Sequence, residues 1–505
     1  MSGKQFIEFN TVSFAYETQS ESTIKDLTLQ LPSGWTGFVG ANGVGKSTLL
    51  QLAAGILKPI SGRITGPPAA IYCRQRTDFQ PNDFEQFMYD NERDAYIVKG
   101  KLGIEDDWLW RWDSLSHGER KRAQIGTALW QQPDLLAIDE PTNHLDSEAR
   151  DTLLGALKAF RGIGLIVSHD KMLMDTLCSH CLFIDPPDFN LFPGNFSQGW
   201  KQVQRELETA EKQEILARKE YKRIEREVKK RRSEAAKADR KKSKRGIDKK
   251  DHDAKEKKNL AKLTGKDAVA GKLMNQLNGR ARQAKDRLDS LSVKKSYETG
   301  IWQEGECSSR NTLFTLESGK IALGQEKTLI YPKLEMRPAD RIALVGANGN
   351  GKSTLIKLIF DSLTLPKEKV TYLPQEIDQA KSAELLEEIK ALSSDKLGFV
   401  MTFVNRLGTR PPSLLESALP SPGEIRKIML AIGAAHVPHL MILDEPTNHL
   451  DLLSVECLKE SLAGFPAGLL LVSHDTEFLE ELTEIRWRIT MNKSHAQECV
   501  LEVEG

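Results

Sequence analysis

Two stretches of the chain carry the residues needed to hold a phosphate. Gly40-Ala41-Asn42-Gly43-Val44-Gly45-Lys46-Ser47-Thr48 returns as Gly346-Ala347-Asn348-Gly349-Asn350-Gly351-Lys352-Ser353-Thr354. Both match G-x4-G-K-S, in which backbone N–H groups turn inward around phosphate oxygens, a path that glycine follows at low cost. Lys46 and Lys352 would supply charge to the β- and γ-phosphates, and Ser47 and Ser353 a hydroxyl ligand for Mg2+. Each loop follows a strand-like run, Trp35–Val39 or Arg341–Val345. Each also opens an apolar helical run, Leu49–Leu57 or Leu355–Phe360, whose N-terminus adds its positive dipole end.

Four further features recur in the same order. The apolar runs Leu135–Glu140 and Met441–Glu445 end in Asp-Glu, 99 and 98 residues after the first glycine of each loop. Asp139 and Asp444 suit Mg2+ coordination, directly or through water. Glu140 and Glu445 are placed to polarise an attacking water. His169 and His474 each follow a buried-strand pattern ending in Val-Ser and suit a γ-phosphate contact. Gln75 and Gln375, just after strand-like Ile71–Arg74 and Thr371–Pro374, carry an amide that can reach Mg2+ or the water. Finally, Ser116-His117-Gly118-Glu119 opens a helix at Arg120–Trp130, and Ser421-Pro422-Gly423-Glu424 opens one at Ile425–Ala434. A Ser-x-Gly turn at a helix start is a second phosphate-binding device.

These features must be positioned by a duplicated domain. The offset between copies is 306 at the glycine-rich loops and 305 at both the Asp-Glu and the Val-Ser-His-Asp segments. Short Val/Ile/Leu strands mixed with helical patterns predict, for each copy, an α/β fold with mostly parallel strands. The copies occupy residues 1–198 and 301–505, leaving 199–300 between them.

Charge separates that middle segment from its flanks. The 505 residues hold 71 Lys+Arg and 71 Asp+Glu, a net charge of zero. Residues 201–300 hold 32 basic against 17 acidic residues, so the remainder carries the opposite excess. No run approaches the ~18 uncharged apolar residues of a membrane span, and the N-terminus goes straight into strand-like alternation rather than a signal peptide. Six cysteines over this length fit a reducing, cytoplasmic setting rather than a disulfide framework. The lone Cys178-x-x-Cys181 is expected to lie on a helix that happens to carry two thiols.

The ordered motif set resembles the ATP-binding cassette superfamily over both halves. That resemblance implies a head-to-tail sandwich binding ATP and Mg2+. One site would combine Lys46, Ser47, Gln75, Asp139, Glu140 and His169 with Ser421 and Gly423. The other would combine Lys352, Ser353, Gln375, Asp444, Glu445 and His474 with Ser116 and Gly118. Asp146 and Asp451 would communicate across the interface, and Tyr16 would stack on adenine in the first half. Two cassettes in one chain, each with Asp-Glu-Pro-Thr-Asn-His-Leu-Asp, resemble the ABC-F family more narrowly. So does Pro193-Gly194-Asn195-Phe196-Ser197, which is similar to that family's Gly-Asn-Tyr-Ser element. The family's members are ribosome-associated ATPases that enter the tRNA exit site and extend their linker toward the peptidyl-transferase centre and P-site tRNA. The expected partner is the ribosome, through ribosomal RNA and P-site tRNA, with the chain acting as a monomer without a membrane partner. Some members regulate translation, and others protect the ribosome from antibiotics. Some insert a helical arm in the first cassette, but the 76 residues between Gly40 and Ser116 leave no room for one.

The linker itself has helical periodicity. Val203, Leu207, Ala210, Glu214, Ala217, Tyr221, Ile224 and Val228 recur at spacings of four and three, and Leu273, Leu277, Ala281, Ala284, Leu288 and Leu291 form a partner seam. An antiparallel helical hairpin follows, its first helix spanning 199–243 and its tip lying near 245–271. Residues 221–250 hold 15 basic against 5 acidic residues, which suggests phosphate-backbone contacts. Lys241, Lys242, Lys244, Arg245, Lys249 and Lys250 are the candidates for touching RNA. Two alternatives use the same cassettes: the ATP-binding subunit of a membrane transporter, and a nucleic-acid repair ATPase.

Overall fold

The computed structural model of the chain describes residues 6–17, 22–142, 145, 147–242, 266–291, 307–324, 327–347, 349–363, 365–375, 377, 384–385, 387–389, 391–409, 421–473, 475–492 and 497–504. It falls into two compact units, Met1–Gly199 with Lys295–Gly505, and Trp200–Lys294.

In the first unit the two halves repeat one sheet. The first half orders its strands Ala70–Cys73, Leu135–Asp139, Ile163–Val167, Gly34–Gly40, His180–Asp185 and Asp188–Pro193, parallel except for the last. The second half repeats this order with Val370–Leu373, Leu440–Asp444, Gly468–Val472, Arg341–Gly346, Ile485–Met491 and Glu498–Glu504. All residues of Leu135–Asp139, Ile163–Val167, Leu440–Asp444 and Gly468–Val472 are buried, as strands covered on both faces require. The antiparallel parts differ. Ile24–Pro32, Phe6–Phe14 and Ser61–Thr65 form a separate sheet in the first half, whereas Lys327–Tyr331 joins the main sheet of the second by pairing with Glu498–Glu504.

This register places the chemistry. Asp139 pairs with Val167, and Phe38 with Val167 from the other side, so three adjacent strands end together. Asp444 and Val472 end together likewise. Ligands of open α/β sheets bind at such carboxyl ends. Beneath them, Leu49, Leu50 and Leu52 bury themselves against Phe38, Leu135, Ala137 and Leu165. The helix Lys46–Ala53 starts earlier and stops sooner than its apolar run predicts. Gly55, with φ +71°, ends it in a Schellman turn: Ile56 N donates to Gln51 O at 2.9 Å and Gly55 N to Leu52 O at 3.1 Å. One expectation fails: Cys178 caps the end of helix Lys171–Leu177 while Cys181 lies inside strand His180–Asp185, so the two thiols do not share a helix. The described residues hold no cluster of three or more His, Cys, Asp or Glu side chains suited to a metal ion.

The second unit is helical. Phe196–Lys242 runs 47 residues, about 70 Å at ~1.5 Å per residue, and Lys266–Ser290 returns. Ser197 starts the first of these helices by donating from N and Oγ to the Asp175 carboxylate. Ile224 and Val228 are buried with Leu277, and Ala281 and Ala284 pack on them. Arg232 also donates to Asn278 at 3.4 Å, a second tie between the two helices. The apolar seam is the protected side of the pair, except that Leu273 is exposed. Among the described residues, no helix is long and apolar enough to cross a membrane.

Candidate ATP sites

Around the first loop, Gly43 and Gly45 take φ of +79° and +100°, which opens the loop and starts the helix at Lys46. Lys46 curls back, its Nζ donating to Gly40 O at 2.8 Å and Ala41 O at 2.9 Å. Burial lowers its pKa, although Asp451, Glu140 and Asp139 oppose the shift. Tyr72 donates to Asp139 Oδ2 at 3.0 Å. Glu140 takes a left-handed φ of +46° immediately beyond its strand. Its Oε1 lies 3.1 Å from His169 Nε2, and its Oε2 accepts from His169 N at 3.3 Å. Burial pushes the Glu140 carboxyl up to about 7 against the pull of Lys46, with Asp139 adding to the rise. Burial, then Lys46, pushes His169 down to about 4. At neutral pH the imidazole is therefore uncharged and the carboxyl is poised to take or release a proton. Tyr16 sets its hydroxyl 3.0 Å from Thr48 Oγ1 and its ring edge-on to Phe14.

The second loop repeats the geometry. Gly349 and Gly351 have φ of +77° and +93°, and Lys352 Nζ donates to Gly346 O at 2.7 Å. Ser353 Oγ donates to Asp444 Oδ2 at 3.0 Å. A hydroxyl and a carboxylate this close are hard oxygen donors of the kind Mg2+ takes, so the residues fit that ion. Glu445 has φ +50° and donates its N–H to Val472 O at 2.8 Å. Asn348, His474 and Asp146 lie outside the described residues.

The halves meet at the first loop. Asn42 Nδ2 donates to His449 O at 3.1 Å, across 407 residues. A Cβ on Gly423 would stand 3.7 Å from Asn42 Nδ2, so the second half's Ser-x-Gly turn faces the first half's loop. Asp451 is fully buried: its carboxylate accepts from Ser454 N at 3.0 Å, Ser454 Oγ at 2.6 Å and Lys427 Nζ at 3.0 Å in its own half, and the charge of Lys46 in the first half acts on it as well. Ser116 and Ser421 each close a capping box with Glu119 or Glu424 and so fix the start of the helix behind them. Gly118 faces Leu145 of its own half. Gln75 and Gln375 have exposed side chains.

Two cations escaped the sequence reading. Lys121 Nζ donates to Arg74 O at 2.6 Å and Asp139 O at 3.1 Å. Arg426 donates to Glu445 O at 3.0 Å and, through its other nitrogen, to Gln375 O. Each ties the helix behind the Ser-x-Gly turn to the Asp-Glu segment and to the strand exit that carries the glutamine. The signal was available: 121 and 426 differ by the repeat offset of 305, and both are basic. In the linker, Lys241 and Lys242 occupy the last turn of the long helix, and Lys244, Arg245, Lys249 and Lys250 lie outside the described residues.

Comparison with known proteins finds relatives that share this duplicated arrangement. The ABC transporter family model matches residues 24–143 and 331–410. The ribosome protection protein VmlR of Bacillus subtilis is 27% identical over 97% of this chain and 87% of its own. The erythromycin resistance ATP-binding protein MsrA of Staphylococcus epidermidis is 28% identical over 90% of this chain and 92% of its own. Among solved structures, the RNase-L Inhibitor shares the fold, with a TM-score of 0.58 at 19% identity over 97% of this chain and 90% of that one. With the whole motif set present twice and the relatives matching nearly end to end, the chain is similar to the tandem ATP-binding cassette ATPases of the ABC-F type.

Proposed function

We propose that the protein is an ATP-gated ribosome-binding factor. Residues 1–198 and 301–505 are its two cassettes, and 199–300 is the hairpin that meets RNA. The observation that carries this reading is the match to VmlR along 97% of the chain, hairpin included. Each ATP is held by one half's lysine, serine, glutamine, Asp-Glu pair and histidine together with the other half's Ser-x-Gly turn. Support comes from Asn42 and Gly423, which bring the two halves together at the first loop. Glu140 and Glu445 take the proton of the attacking water, a task to which the raised pKa of Glu140 is matched. Ser47 with Asp139, and Ser353 with Asp444, would hold Mg2+, which would supply charge neutralisation at the phosphates.

The monomeric protein works in the cytoplasm, in the ribosomal tRNA exit site. Its hairpin points toward P-site tRNA and the peptidyl-transferase centre. Closure on ATP favours the bound conformation and hydrolysis releases it. The consequence is regulation of translation or protection from an antibiotic, and the names of VmlR and MsrA favour protection.

The test is to replace Glu140 and Glu445 together by Gln and sediment the protein with ribosomes in ATP. The reading requires ATP-dependent co-sedimentation, and its absence sinks it. Removing residues 245–271 should then abolish resistance while leaving ATPase activity largely intact.

A further inference from the structure

An ion cluster joins the cassettes beside the first ATP site. Lys171 follows Ser168-His169-Asp170 and begins the helix Lys171–Leu177. Its Nζ lies 3.3 Å from Glu456 Oε1 and bonds the Glu477 carboxylate, both in the second cassette. Glu456 sits on the helix Leu452–Ala463 that Asp451 caps, and Glu477 in the first turn of Thr476–Leu482, just beyond the second Ser-His-Asp. Lys459 completes the cluster at 3.2 Å from Glu456, 3.2 Å from Glu481 and 3.8 Å from Glu477. The side chains of Lys171, Glu456 and Lys459 are only 17%, 9% and 10% exposed, so solvent and salt screen the two pairs to Glu456 less than those to Glu477 and Glu481, which are half exposed.

The repeat reveals that the cluster is one-sided. At the offset of 305, Lys171 corresponds to Thr476, Glu477 to Met172, Lys459 to Leu154 and Glu456 to Asp151. The mate position therefore holds one carboxylate and no cation. Burial of the two loops differs in the same sense. Lys46 and Thr48 are 8% and 5% exposed, whereas Lys352 is half-buried and Thr354 exposed.

We propose that the cluster around Lys171 is a latch that holds closed the ATP site built on Lys46, so that the two sites exchange nucleotide at different rates. Lys171 is a positioning residue: it fixes the segment carrying His169 against the second cassette's Asp451-capped helix. The latched site retains ATP while the other site turns over. This inference rests on reading the two glycine-rich loops as ATP sites.

The experiment uses the full chain with Glu140→Gln and Glu445→Gln, loaded with a fluorescent ATP analogue and chased with unlabelled ATP. Two release phases are expected, and Lys46→Ala should remove the slow one. Truncating or reversing one partner of a desolvated pair acts mainly on dissociation, so Lys171→Glu should speed the slow phase about tenfold. Lys171→Arg should restore it, which a merely structural disturbance would not predict. Thr476→Lys with Met172→Glu should slow the fast phase by building a latch on the other side, and this holds even if Lys171→Glu fails to fold. A single phase, a slow phase that survives Lys46→Ala, or a fast phase unmoved by the transplanted latch overturns the proposal. Failure of the analogue to bind at all would instead overturn the reading of the loops.

Discussion

Arg426 offers the sharpest test of how the second site is built. Its side chain is 2% exposed, and it donates to Glu445 O at 3.0 Å and to Gln375 O. Replacing it by Met keeps the volume and removes both bonds. Hydrogen bonds from a charged donor contribute about 1.5–3 kcal/mol each, so the pair is worth roughly 3–6 kcal/mol before desolvation. Burial lowers the guanidinium pKa although Asp444 and Glu445 oppose it, which shows that desolvation takes back part of that gain. A net loss of about 2–4 kcal/mol is expected for Arg426→Met, within the range for breaking a buried network. Arg426→Lys should recover most of it, because the lysine at the mate position, Lys121, also spans two carbonyls of the corresponding segments, Arg74 O at 2.6 Å and Asp139 O at 3.1 Å. Urea unfolding of the full chain measures the stability term. Steady-state ATPase measures the functional one: turnover should fall more than KM rises, because Glu445 sits at a left-handed φ of +50° with its carbonyl held by Arg426. A Met variant within about 0.5 kcal/mol of the wild type, or a Lys variant as unstable as Met, would refute the reasoning.

Three further outcomes follow from other parts of the molecule. Gly423→Ala places a Cβ 2.3 Å from the His449 carbonyl oxygen, a backbone atom that cannot swing aside as a side chain does; ATPase assays should find this variant nearly inactive. Burial alone would raise the pKa of Asp451, but Lys427, Lys46 and the Ser454 bonds outweigh it and hold it below its ordinary value. The stability this confers is complete above the unfolded carboxyl pKa of about 4 and disappears as pH falls through the lower folded value. Asp451→Asn should thus cost about 3–5 kcal/mol at pH 7 by stranding buried Lys427, and denaturation at stepped pH should show the gap to wild type closing in acid. Neutralising Lys241, Lys242, Lys244, Arg245, Lys249 and Lys250 should weaken ribosome co-sedimentation and flatten its dependence on log salt, by about 0.7–0.9 for each phosphate that no longer meets a cation.

Sequence alone determined the cassettes and their order. A backbone loop that wraps phosphate requires glycine at fixed steps, and a carboxylate presented at a strand end requires an apolar run before it. These demands are local, so Gly40–Thr48, Asp139-Glu140 and their copies are legible without coordinates. The hairpin seam at Ile224, Val228 and Leu277 was legible for the same reason, since helical packing repeats every three to four residues. Where the helices start and stop was less so: Gly55 ended one that the apolar pattern carried to Leu57. Tertiary structure decided what no local rule encodes. Lys121 and Arg426 bond backbone carbonyls, and any residue type supplies a carbonyl, so their targets left no mark on the sequence. The carboxylate of Asp451 turned inward to Lys427 and Ser454, while the neighbouring His449 carbonyl received Asn42 from 407 residues away. Lys171 reached Glu456 and Glu477 because folding brought distant charges within a few ångströms. Spacing along a chain fixes what a residue can do, and only packing fixes what it does it to.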